Sequence, residues 1–163
     1  MKIIKKLTIN KPIEQVWDVL GNQFGEIDKW ASLISHSAMS GESNMSGISH
    51  SIRSTETTSG PTKQELTVFN PDKHTIAYKA IAGTPVFFKS VNAEWSLVKK
   101  GDSITGLTLD FEVKFKGLGI LLTPVVKRKL GKVGDEILDD FKFYVENGTP
   151  HPRKLKAIEN KQQ

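Results

Sequence analysis

The chain contains no cysteine. Disulfides, a thiolate nucleophile and cysteine-ligated zinc are therefore excluded together, although the compartment stays open because export is compatible with the same absence. Nor is there a run of about 18 apolar residues, the length a bilayer-spanning helix requires. The N-terminal MKIIKKLTINKPIEQVW turns polar before the apolar core of a signal peptide forms. The expectation is a cytoplasmic protein with no transmembrane segment. Histidines are few, and no two of His36, His50, His74 and His151 stand at a metal-ligand spacing with an Asp or Glu to complete a set. No Gly-x-Ser-x-Gly elbow presents a serine nucleophile. No metal, nucleotide or other cofactor is expected.

What is present points to one domain. A length of 163 residues and a hydrophobic content of 37% suffice for a single core, and so for a single interior site. The net charge is +5, with the basic residues dispersed except for Lys127, Arg128, Lys129 and Lys132 and a second group at Arg153, Lys154 and Lys156. A nucleic-acid or membrane surface is one reading of these groups. A solvated face is the simpler one, so no nucleic-acid partner is expected.

Hydrophobic periodicity divides the chain into four parts. Lys2 to Ile9 alternates as a strand, and Pro12 suits the first position of a helix whose stripe is Ile13, Val16, Trp17 and Leu20, stopping at Gly21. A second short helical turn fits Gln23 to Lys29. From Leu33 to Phe115 the period becomes two, interrupted by turn residues at Ser43-Asn44, Ser59-Gly60-Pro61, Asn70-Pro71-Asp72, Gly83-Thr84-Pro85 and Lys100-Gly101-Asp102. Six more strands fit between those marks. In the last, Leu107, Leu109, Phe111, Val113 and Phe115 share one dry face, and pairing back through the Lys100-Gly101-Asp102 turn adds Val91, Ala93, Trp95 and Leu97 to it.

From about Leu118 to Val145 a helical stripe runs through Leu122, Val126, Leu130, Val133, Ile137, Phe141 and Val145. Gly131 and Gly134 within it serve close approach to the sheet or a ligand, or else mark a local kink. Residues 149–163 read as a loose polar tail beyond a domain of residues 1–148. The expected fold class is α+β: a curved seven-stranded antiparallel sheet wrapped around a long C-terminal helix, with two short helices after the first strand. Such a sheet cannot bury its concave face on itself, and incomplete cover by the helix leaves a cavity.

Several stretches resemble one family: Pro12-Ile13-Glu14-Gln15-Val16-Trp17, Trp30, Gly60-Pro61, Asn70-Pro71-Asp72 with Tyr78, Trp95, and the ending Phe141 to Arg153 with Gly148 and Pro150-His151-Pro152-Arg153. In order and spacing they are similar to the polyketide cyclase/dehydrase-like branch of the START/birch-pollen-allergen (SRPBCC) superfamily, over roughly residues 2–153. The resemblance implies a helix-grip fold with a ligand cavity between sheet and long helix and entrance loops at one end. The loop at Gly60 and Pro61 resembles the first of the two that close over ligand in the plant hormone receptors. The second, at Gly83 and Pro85, departs from the receptors' sequence, so hormone sensing is not supported.

Strand phase nominates the polar lining. Ile48 and Ile52 facing inward bring His50, Leu66 and Val68 bring Gln64, and Ile76 brings Tyr78. In relatives Glu often stands where Gln64 does and Arg where His50 does, so on that alignment a charged interior pair is replaced by a milder one. His50 is then a general base or ligand donor, or a hydrogen-bonded core histidine. Tyr78 orients a ligand carbonyl or hydroxyl, or is a satisfied core aromatic; Trp30 and Trp95 stack on a flat ligand or simply pack. Leu66, Leu109, Phe111, Leu130 and Ile137 supply apolar wall. Three functions fit: carriage or binding of a small hydrophobic ligand, lipid-like or polycyclic aromatic; a cyclase or aromatase that shapes a reactive chain by proximity and desolvation; or a ligand-dependent regulator of a partner. Binding needs the least chemistry. Ligand identity and oligomeric state are not legible at this level.

Overall fold

The computed structural model describes residues 1–160. Seven strands, β1 (Lys2–Ile9), β2 (Ile34–Glu42), β3 (His50–Thr57), β4 (Gly60–Asn70), β5 (Thr75–Ala82), β6 (Phe88–Gly101) and β7 (Ile104–Phe115), form one antiparallel sheet in the order β1-β7-β6-β5-β4-β3-β2. Every neighbour in that order is also a neighbour in sequence except β1 and β7. The first two strands therefore lie at opposite edges, and the residues joining them must cross the sheet. They do so as α1 (Ile13–Trp17), a π-helical turn (Asp18–Asn22) and a 3-10 segment (Phe24–Lys29), burying Val16, Trp17, Leu20, Phe24 and Ile27.

Two boundaries differ from the periodicity. Pro12 stands just outside α1 as its N-cap, and Gly21 does not end the helical run. A Cβ on Gly21 would lie 2.5 Å from the Trp17 ring, so this glycine makes room for the indole.

After β7 a 3-10 turn (Gly117–Leu122) leads into α2 (Thr123–Asn147), which stops at Gly148 with φ 72°, a left-handed conformation that favours glycine. The long helix thus starts later than its apolar run, where Pro124 suits a first turn. It packs chiefly by its C-terminal half. Phe141 is fully buried against Trp30 and Trp95, with ring centroids 5.2 and 6.0 Å away, and Leu138 is buried beside it. Leu130 and Ile137 are half-buried, and Leu122 and Val133, at the margin of the 100°-per-residue stripe, are exposed. Gly131 has no neighbour close enough to require a glycine, and Gly134 meets only Lys5 Cγ at 3.9 Å, so close approach does not explain either.

The residues expected to form a loose tail instead make a third helix, α3 (Pro152–Glu159). Pro152 occupies its first turn and His151 caps it, Nδ1 accepting the Arg153 N–H at 3.2 Å. Arg153 Nε donates to Asp140 Oδ1 at 2.6 Å, and Asp140, with no exposed surface, also accepts the Ser32 N–H and hydroxyl. Lys154 Nζ donates to the Ile34 carbonyl at 2.6 Å. α3 is thereby locked to α2 and to the start of β2.

Candidate functional site

The interior polar group is a guanidinium. In β3 the inward phase carries Arg53 and Thr55, both buried, while His50 is exposed. The expectation that His50 lines the interior is therefore corrected. Ile52 had set the phase, but it sits on the other face, over Gly41, where a Cβ would meet its Cδ1 at 3.0 Å. The arginine expected at the place of His50 stands three residues on. Val68 is likewise exposed, because a bulge between Leu66 and Val68 reverses the alternation and turns Phe69 inward.

Register places Arg53 opposite Gln64. Arg53 Nε donates to Gln64 Oε1 at 2.9 Å, a second guanidinium nitrogen reaches the same oxygen, and Nη1 donates to the Phe24 carbonyl at 2.9 Å. The cation lies 3.7 Å from the centroid of the Phe24 ring and 5.1 Å from that of Tyr78, so aromatic faces supply part of its compensation. Among the described residues no carboxylate pairs with it, and only 3% of its surface is exposed. Burial pushes its pKa down to about 10, with Tyr78 opposing the shift, which leaves it charged at neutral pH. A buried cation held only by neutral oxygens and rings is an arrangement to which an anion adds what is missing.

Tyr78 is on the same side: its hydroxyl oxygen accepts the Trp95 indole N–H at 3.3 Å, and its ring lies 5.6 Å from Phe24. Arg53, Tyr78, Trp95, Phe24, Leu20 and Ile27 border a cavity of about 10 Å³, enough for about one water. Of the residues nominated from sequence, Tyr78, Trp30 and Trp95 border this space, and Gln64 reaches it through Arg53. Leu66 and Leu109 are buried in the adjoining core, against which Phe111 and Ile137 pack. Leu130 is not brought to the cavity. Trp30 and Trp95 are both packed on Phe141. Of the wall contributed by the crossing segment, periodicity puts Leu20 in the stripe of the first helix and Phe24 and Ile27 only within the short turn after it. The place of this wall over Arg53 follows only from the crossing.

The remaining histidines are accounted for on the surface. His36 lies 3.9 Å from Asp28, His74 shares a 3.2 Å contact with Glu14, and His151 caps α3. No cluster able to hold a metal ion occurs among the described residues, and no described helix is long and apolar enough to cross a membrane.

The two expected entrance loops meet. Gly83, φ 80°, packs so closely on the other loop that a Cβ there would stand 2.1 Å from the Pro61 carbonyl oxygen. Next to them, Lys116 N–H donates to the Phe87 carbonyl at 2.8 Å, which ties the loop carrying Pro85 to the start of the 117–122 turn. At this end Phe111, Phe115 and Val91 of the sheet and Val126 and Leu130 of α2 are inward by phase yet only half-buried. The apolar interior is less covered here than beneath Phe141. A separate groove of about 440 Å³ runs between residues 32–35, residues 57–58 and α3.

A curved open sheet gripping a C-terminal helix, with a crossing helical segment closing one side, defines the helix-grip, START-like class. The chain belongs to the polyketide cyclase/dehydrase and lipid transport family, whose model matches residues 2–146. No curated protein gives a significant sequence match. Among solved structures it is similar to a START superfamily protein from Mycobacterium smegmatis, at 18% identity, TM-score 0.73, covering 91% of this chain and 99% of that one. It is also similar to the Zhui aromatase/cyclase from Streptomyces sp. R1128, at 15% identity, TM-score 0.65, covering 93% and 99%. The di-domain ARO/CYC BexL matches at 11% identity and TM-score 0.74, over 90% of this chain and 46% of its own. At these identities the likeness establishes the fold.

Proposed function

We propose that the protein binds a small hydrophobic molecule bearing one anionic or strongly accepting group, which reaches Arg53 while the apolar body extends toward the half-covered interior beneath α2. The observation that carries this reading is the burial of Arg53 without a carboxylate partner. Enclosing a cation costs several kcal/mol unless an opposite charge accompanies it, and Gln64 is neutral. Apolar walls then contribute affinity by area, and the guanidinium contributes orientation. The family's lipid-transport and cyclase members and the aromatase/cyclase neighbours support the ligand class. Since the cavity holds about one water, binding has to displace the crossing segment or the N-terminal half of α2.

A second reading, cyclase-like chemistry without metal or nucleotide, rests on Arg53 and Tyr78 bordering the same cavity. There a fixed cation and a hydroxyl stabilise an enolate developing on a folded chain. Native mass spectrometry of the purified protein, with extraction and identification of retained small molecules, tests both. For direct titration, decanoate is compared with decanamide by thermal shift. Ligand in hundredfold excess over its dissociation constant stabilises by about 2.7 kcal/mol. Equal or absent effects of the two probes would remove the assignment to Arg53.

A further inference from the structure

The end of the molecule at which α2 begins presents apolar side chains to water. Val86 is 88% exposed, Leu118 82%, Leu121 73% and Val125 69%. The Lys116–Phe87 hydrogen bond and the approach of Phe87 to Gly119 bring the loop bearing Val86 to the 117–122 turn, so these side chains belong to one tip. Core packing does not explain them, and an exposed apolar cluster of this kind marks a contact surface. The charge along the chain at this end is of one sign. Between Glu112 and Asp135 the chain has no acidic residue and carries Lys114, Lys116, Lys127, Arg128, Lys129 and Lys132. Among the described residues the last four form no ion pair. At 1.5 Å per residue they stand about 3 to 10 Å along the helix axis from Val125. With the helix axis set along the bilayer normal, that offset is comparable with the depth of about 5 to 10 Å to which apolar faces enter the interface.

From this juxtaposition, an apolar tip followed along α2 by four unpaired cations, we propose that the tip docks on the surface of an anionic phospholipid bilayer, with Leu118, Leu121 and Val125 entering the interface and Lys127 to Lys132 at headgroup level. A second copy of the chain is disfavoured as occupant, because a twofold contact sets the same cations against each other. A nucleic acid would satisfy the cations but would leave the aliphatic side chains in water. An anionic membrane answers both. The inference is independent of the interior ligand, since docking is read on the unliganded protein.

The test is flotation with vesicles of phosphatidylcholine alone and of phosphatidylcholine mixed with phosphatidylglycerol. Binding to the mixed vesicles is expected, weakening as salt rises from about 0.1 M toward 1 M and the screening length falls from about 10 Å to about 3 Å. The double variant Lys127→Ala, Lys129→Ala is expected to lose about 30-fold in affinity, about fivefold per cation. Leu121→Ser with Val125→Ser is expected to abolish flotation. Lys73→Ala with Lys99→Ala, at the opposite end of the strands, should leave it unchanged, and unaltered cooperative melting establishes that each variant is folded. Failure of the folded wild type to float overturns the proposal, as does binding that survives both tip variants. Retention on heparin or RNA without flotation overturns it in favour of a nucleic acid. Concentration-dependent dimerisation that Leu121→Ser, Val125→Ser removes, again without flotation, overturns it in favour of self-association.

Discussion

Replacing Gln64 by Glu places a carboxylate where Arg53 already points two nitrogens. Burial pushes the guanidinium down to about 10, and at about 1.4 kcal/mol per pH unit the drop from its ordinary range corresponds to about 3 kcal/mol of uncompensated enclosure. That figure is net of what Tyr78 already offsets, and it gives the order of magnitude of what an internal counter-ion acts on. The carboxylate must itself be dehydrated, only partly because residue 64 is half-buried, so a net gain of about 1 to 2 kcal/mol is expected. Urea unfolding at neutral pH reads it as a higher midpoint at unchanged slope, and thermal unfolding as about 2 to 4 °C per kcal/mol. Beside the guanidinium, the introduced carboxyl would have a folded pKa below its unfolded one. Its stabilisation would then be complete above the ordinary carboxylate range and lost as pH falls through the depressed folded value. The same substitution occupies Arg53, so affinity for decanoate should fall at least about tenfold, while decanamide changes little. A Gln64→Glu protein that binds decanoate as before, or that is destabilised at neutral pH, would refute the view that Arg53 lacks a counter-ion and waits for one.

Tyr78→Phe removes the acceptor of the Trp95 N–H, and a loss of about 0.5–1.5 kcal/mol in urea unfolding is expected, with weaker binding of polar-headed probes only. Glu146 accepts the Asn10 N–H at 2.7 Å and pairs with Lys142 at 3.0 Å; burial alone would raise its pKa, but these partners hold it below the usual carboxylate range. Its contribution is present above that range and lost as pH falls through the lowered value, so Glu146→Gln should flatten the acid limb of a stability–pH curve, measured against wild type. Arg153→Ala withdraws one donor from fully buried Asp140; because both Ser32 donors remain, about 2 kcal/mol is expected rather than the full penalty of breaking a buried pair, and hydrogen exchange should show α3 released. Gly83→Ala forces a Cβ toward the Pro61 oxygen in a left-handed conformation, and a loss of more than about 1 kcal/mol with altered ligand on-rates is expected in stopped flow.

Alternation with period two in Leu107, Leu109 and Val113 and in Ala93, Trp95 and Leu97 determined β7 and β6 and their dry face, because a pleated strand offers no other way to hide those side chains. The turn residues between Ser43 and Asp102 marked where each strand ends, and the apolar repeat around Phe141 marked a covering helix. Local pattern therefore sufficed for the sheet, for its covering helix and for the inward phase of Tyr78. It did not suffice for the polar end of the interior. In β3 an isoleucine lies outside and an arginine inside, so hydrophobicity pointed to the wrong phase. In β4 a bulge reversed the alternation after Leu66, which no residue type announces. Arg53 becomes tolerable inside only when Gln64 arrives from β4, the Phe24 carbonyl from the crossing segment and the Phe24 and Tyr78 rings from two sides. α3 likewise looked like a polar tail until Asp140 and the Ile34 carbonyl gave Arg153 and Lys154 their partners. Burial of a charge depends on partners far apart in the chain. Tertiary structure alone brings them together, whereas burial of an apolar stripe is a property each element already carries.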